Sequence, residues 1–220
     1  MKHSVIVVAM LILGIGCASR STFVERDYAD STMSGRSLVI ATVMPTLLNP
    51  EDVTTNLGDG IPMDVFLNFF HTEFVKAMHV SSTFKDIFFS SQNSSAPLHW
   101  QSTTLDDGRR LKLMLPPENS RLTFDSIQTD FVLLIGRFTI RRNDPEPAYD
   151  VGRGVTGGSS GSLSQTVDYA IWDNAKGKMV AYGQVLAETQ VSVFQLNRWN
   201  WESCVTLLAK RIVEDTPFMR

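Results

Sequence analysis

Two alternating runs separated by five turn-forming residues fix most of what this chain can fold into. From Gln165 to Trp172, Val167, Tyr169 and Ile171 alternate with Asp168, Ala170 and Trp172. A second run spans Lys178 to Thr189, and Asp173-Asn174-Ala175-Lys176-Gly177 lies between them. Side chains two apart share one face of a strand, so the pattern predicts a β-hairpin. Upstream, Phe131 to Ile140 reads as the most hydrophobic strand of the body, too short and too interrupted to cross a membrane. Ser37 to Met44, closed by Pro45, is a continuous apolar run that predicts a central strand buried on both faces.

Helical spacing occurs twice. Met63, Phe66, Leu67, Phe70, Phe74, Ala77 and Met78 recur at steps of three and four, predicting an amphipathic helix over 62–79. Its aromatic stripe reads either as core packing against a sheet or as a partner groove. Cys204, Val205, Leu208, Ala209 and Ile212 predict a C-terminal helix of about 14 residues beginning near Asn200. Between these, Phe84–Ser90, Leu98–Thr104 and Arg110–Leu115 read as strands, the last two joined through the turn Asp106-Asp107-Gly108. Pro117 to Ser126 is open to a short helix. The order strand, helix, strands, helix implies an α+β domain: a mostly antiparallel sheet with helices packed on one face.

Composition narrows the function classes. The chain has 220 residues, 43% of them hydrophobic, with Lys+Arg 20 against Asp+Glu 23. That is the balance of a chain that folds, and a net charge of -3 gives no phosphate-binding excess, so nucleic acid is not an expected partner.

The start of the chain implies export. After Met1-Lys2-His3-Ser4, an apolar run from Val5 to Ile15 stops at Gly16-Cys17-Ala18-Ser19. Eleven residues make about 16 Å of helix, half of a bilayer core of roughly 30 Å, which suits a signal peptide over 1–16 rather than a span. Leu13-Gly14-Ile15-Gly16-Cys17 resembles the lipobox of bacterial envelope lipoproteins, with Leu13 four places before the cysteine where that box has it at three. The resemblance implies that Cys17 is lipidated and becomes the first residue of the mature chain. With Ala18 after it, it also implies the periplasmic face of the outer membrane. Secretion with plain cleavage is the other reading. Residues 17–36, rich in Ser, Thr, Arg and Asp, are expected to be a flexible tether, leaving 37–220 as one periplasmic domain. Cys204 is the one other cysteine, so the body has to fold without a disulfide.

Catalytic signatures fail in context. Gly157-Gly158-Ser159-Ser160-Gly161 matches G-x-S-x-G, yet no apolar strand feeds it, no apolar helix follows, and no histidine lies beyond His99. His71 and His79 stand eight residues apart, about 12 Å along a helix, too far to share a metal. No catalytic residue, metal site or cofactor is therefore assigned. The stretch from Asn143 to Ser164 has no periodicity, and such insertions are functional or disordered. Within and beside it, Arg141, Arg142, Tyr149 and Arg153 are candidates for contact with a partner.

The segments Asp130–Gly136, Val167–Asp173, Val180–Gly183 and Lys210–Val213 resemble lipoprotein domains of the CsgG and LpoB kind over about 90 residues, without the amphipathic hairpins of a CsgG pore. The resemblance implies a non-enzymatic accessory or structural lipoprotein acting through protein contacts in an envelope assembly, with homo-oligomers possible. A cell-envelope hydrolase with a spatially assembled site and a carrier of an apolar ligand are the competing readings.

Overall fold

The computed structural model describes residues 22–42, 63–90, 94–143, 161–191 and 198–219. Within these residues, eight strands and two α-helices form three layers. The central layer is a six-stranded mixed sheet of order β1-β8-β7-β6-β2-β3. Its strands are β1 (Thr22–Val24), β2 (Ser37–Thr42), β3 (Asp86–Ser90), β6 (Phe131–Asn143), β7 (Gly161–Asp173) and β8 (Lys178–Val191). The other two, β4 (His99–Thr104) and β5 (Arg110–Leu115), pair only with each other.

The hairpin is where the alternation puts it: β7 and β8 pair antiparallel from Asp173↔Lys178 to Gly161↔Val191. Gly177 closes its turn at φ 63°, and a Cβ there would stand 2.5 Å from the Asn119 backbone, so the turn needs glycine twice over. β6 joins β7 antiparallel, with a bulge between Ile135 and Phe138. At Gly136 in that bulge an added Cβ would stand 2.9 Å from the Lys112 carbonyl, which is how β5 comes down onto the sheet.

The sheet is mostly antiparallel but mixed. β2 runs parallel to both β3 and β6. The β2–β3 pair has to be parallel because α1 (Met63–Ser81) crosses over between them. Alternation along the strands then separates two cores. Leu38, Ile40, Leu133, Ile135, Tyr169 and Ile171 face α1 and α2 (Arg198–Glu214). Val39, Ala41, Val132, Leu134, Ala170 and Trp172 face Leu111, Leu113 and Leu115 of β5. Both α-helices pack on one face, as expected. The β4–β5 ribbon, however, leaves the sheet and covers the other face.

Three expectations need correction. The body already includes residues 22–36: β1 adds to β8, and Tyr28 and Met33 are buried, so this stretch is part of the fold instead of a flexible tether. Pro117–Ser126 forms no α-helix, but an irregular segment ending in a bridge between Phe124 and Ile127. The aperiodic stretch is shorter than 143–164, because Asn143 pairs with Ser162 and Arg142 with Leu163. Leu163, Gln165 and Val167 point inward there, an alternation hidden among serines and glycines.

The aromatic stripe of α1 is core. Phe66 and Phe70 lie 6.3 and 5.0 Å from Phe138, and Phe66 meets Trp201 of α2 edge-on at 5.5 Å.

Candidate functional site

Of the residues singled out from the sequence, Cys17, Tyr149, Arg153 and Gly157–Ser160 lie outside the described residues. Arg141 is exposed near the end of β6, where its carbonyl accepts a hydrogen bond from Ser164 Oγ at 3.5 Å. Arg142 is the next residue of that strand, so both are held on a regular β-pair. His79 is exposed, and His71 lies half-buried with its ring stacked on Phe89 at 3.5 Å. Among the described residues no group of three His, Cys, Asp or Glu side chains is placed to hold a metal ion.

Burial pushes the His71 imidazole down to about 4, from an ordinary 6.5. The unfolded chain therefore takes up that proton first as pH falls. The stability His71 contributes is complete above about pH 6.5 and drains away between there and about 4. Urea midpoints at pH 7.5, 5.5 and 4.5 are expected to fall across this window, and His71→Phe is expected to flatten that part of the profile. An unchanged slope would show that the ring does not titrate in this range.

A polar concavity lies at the end of the sheet holding the β7–β8 turn. A cleft of about 190 Å³ is lined by Tyr28, Arg36, Asp130, Asp173 and Lys176. A second, of about 300 Å³, shares Asp130 and Ala175 with it and adds Arg121 and Gln128. Two carboxylates and three cations converge here, the arrangement a polar ligand or a catalytic pair would use. Their bonds are internal, however. Asp173 accepts from the Tyr28 hydroxyl at 2.6 Å and the Lys176 N–H at 2.9 Å. Asp130 accepts from the Ser37 N–H and hydroxyl at 2.8 and 2.9 Å, with Arg36 at 3.4 Å. Burial raises the Asp130 carboxyl, but the Ser37 donors and the Arg36 charge outweigh it and hold the group below its ordinary value. A carboxylate so held is a poor proton donor at neutral pH. The cleft's polar groups tie the Tyr28 segment to the hairpin and Asp130 to the start of β2.

A second network crosses the ribbon-covered face. Asp168 is fully buried and accepts from Gln184 Nε2 at 2.7 Å, while Arg137 Nε approaches at 3.3 Å. Arg109 in turn donates to Gln184 Oε1 at 3.1 Å. Gln165, on the helix face, is fully buried with neither amide atom hydrogen-bonded.

Open backbone and exposed apolar side chains lie elsewhere. All of β4 is exposed except Thr103, which is half-buried, and Trp100 on it is 50% exposed. Among the described residues β3 pairs on one side only, and β8 is covered by β1 only over Ala181–Gly183. No sequence signal marked these surfaces, because exposure of a strand is set by what lies beside it.

No family model matches the chain, and no curated protein matches it. Among solved structures it is similar to the PelC dodecamer from Paraburkholderia phytofirmans, with a TM-score of 0.37 and 9% identity over 90% of this chain and 96% of that one. It is also similar to a point variant of that dodecamer from the same organism, with a TM-score of 0.38 and 10% identity over 90% of this chain and 98% of that one.

Proposed function

We propose that this chain is a lipid-anchored envelope protein, held through Cys17 at the periplasmic face of the outer membrane, that works by contact with protein partners, copies of itself included, and not by catalysis. The observation that carries the contact reading is β4. A six-residue strand open to solvent on both faces, with a half-exposed tryptophan and one unpaired side, gains almost nothing from the fold it belongs to. Strands of this kind recruit a further strand or an apolar neighbour. The anchor reading rests on the leader, whose apolar run ends at Gly16-Cys17.

A photo-crosslinking residue in place of Trp100, in the full chain in its own envelope, tests the contact reading. An adduct with a second copy or another envelope chain is expected, its mass telling which. Absence of any adduct would remove the reading. Trp100→Ser is expected to abolish the contact while changing folding stability by no more than about 0.5 kcal/mol, as surface changes do. Incorporation of labelled palmitate, lost in Cys17→Ser, tests the anchor separately.

A further inference from the structure

We infer that the edge of the sheet formed by β1 and β8 lies against the lipid surface, with Phe23, Tyr182 and Leu186 as its interfacial contacts. This rests on the reading that Cys17 carries the anchor. The argument is one of reach. Only residues 18–21 separate Cys17 from β1, and five Cα steps span at most about 17 Å. A compact body of this size is roughly 40 Å across. A chain shorter than half that diameter cannot let the body turn freely, so the side where the chain enters faces the membrane. A flexible tether of 17–36 would have imposed no such constraint; pairing of Thr22 with Gly183 does.

The entry side has suitable chemistry. Phe23 is 40% exposed and stacks on Tyr182 with ring centroids 4.9 Å apart. Leu186, 45% exposed, lies on the same face of β8 four residues on. Gln184, between them on that face, is turned inward to Asp168 and so leaves the apolar row unbroken by a solvent-seeking group. Aromatic side chains with one wet end concentrate at bilayer interfaces. Arg26 beside β1 and Arg211, which donates to the Leu186 carbonyl, are exposed cations at this edge; of the exposed acids there, Asp27 is paired with Lys178 at 3.3 Å and Glu188 lies further along β8. The backbone groups of β8 beyond Gly183 would meet hydrated headgroups, which can bond them. The opposite edge, β3, serves as an internal comparison: Phe88 there is 38% exposed, about as much as Leu186, but lies across the full width of the sheet.

The test places a bimane on Leu186→Cys or Phe88→Cys in the full chain. The chain is reconstituted into phosphatidylethanolamine/phosphatidylglycerol vesicles with or without brominated acyl chains. Burial pushes the Cys204 thiol up to about 12, so it stays unlabelled at neutral pH. Brominated lipid is expected to quench the probe at 186 roughly fivefold more than the probe at 88. Equal quenching at the two edges, or stronger quenching at 88, in protein that floats with the vesicles would overturn the edge assignment and leave the anchor untouched. Protein that fails to float would overturn the anchor, and the edge assignment with it.

Discussion

Asn174→Ala is expected to lower the thermal midpoint by about 10 °C, corresponding to about 3–4 kcal/mol in a domain of this size. Asn174 is 1% exposed, and its amide satisfies three backbone groups of a segment with no ladder of its own. Its Oδ1 accepts from the Leu122 N–H at 2.6 Å, and its Nδ2 donates to the Leu122 and Thr129 carbonyls at 2.7 and 3.0 Å. Truncation leaves those groups buried without partners, and each costs about 1–3 kcal/mol. The loss also spreads, because the Asn174 N–H bonds the Asp130 carbonyl and the Trp172 indole bonds the Ser120 carbonyl in the same interface. Asn174→Asp keeps the acceptor but turns a carboxylate toward two carbonyls, so it is expected to do no better than alanine. Calorimetry of the three proteins decides the matter. A shift of only about 2 °C would mean that 117–130 is held by its apolar residues Leu122 and Phe124 alone.

That interface also shows where reading a sequence stops. Asn174 and Gly177 look like ordinary hairpin-turn residues, and a turn is what they make. Nothing local says that the asparagine faces inward to bind a segment 45 to 52 residues away. The period-two and helical patterns located β2, α1, β5, β6, the β7–β8 hairpin and α2 because each element buries a regular face, and burial writes its period into the residues. Strand direction has no such period. β3 reads the same whether parallel or antiparallel to β2, and only the crossover through α1 settles it.

The segment before Ser37 misleads for a related reason. Serines, threonines and charges dominate it, yet it docks through the pairing of β1 with β8 and the burial of Tyr28 and Met33. Tyr28 does so through its hydroxyl on Asp173 and its ring under Lys176 and Lys178, at 4.6 and 5.1 Å. The candidate site divides along the same line. Cys17 and the arginines at the end of β6 were legible as residue types. The exposed β4 and the β1–β8 edge were not, since they are defined by the absence of a neighbour.

Asp168 is the sharpest case, and its variants are expected to be strongly non-additive. In the alternation it reads as an outward residue between Val167 and Tyr169, which is true of its face but not of its exposure: β5 covers that face, and the carboxylate ends fully buried. Asp168→Leu is expected to cost about 3 kcal/mol, because the half-buried Gln184 Nε2 and the Lys112 N–H both lose their carboxylate acceptor. Arg137 contributes less to the loss, since its side chain is half-exposed and regains water. Gln184→Leu alone is expected to cost a similar amount by stripping the buried charge of its 2.7 Å donor. The double variant removes both halves together, and Arg109, released from Gln184 Oε1, keeps its existing bond to Asp107 and regains water. Its total cost is expected near 1–2 kcal/mol, well below the roughly 6 kcal/mol of the summed single changes. Urea unfolding of the four proteins closes the cycle. Additive losses would mean that the two side chains act independently and that Arg137, not Gln184, is the main partner of the Asp168 carboxylate beneath the ribbon.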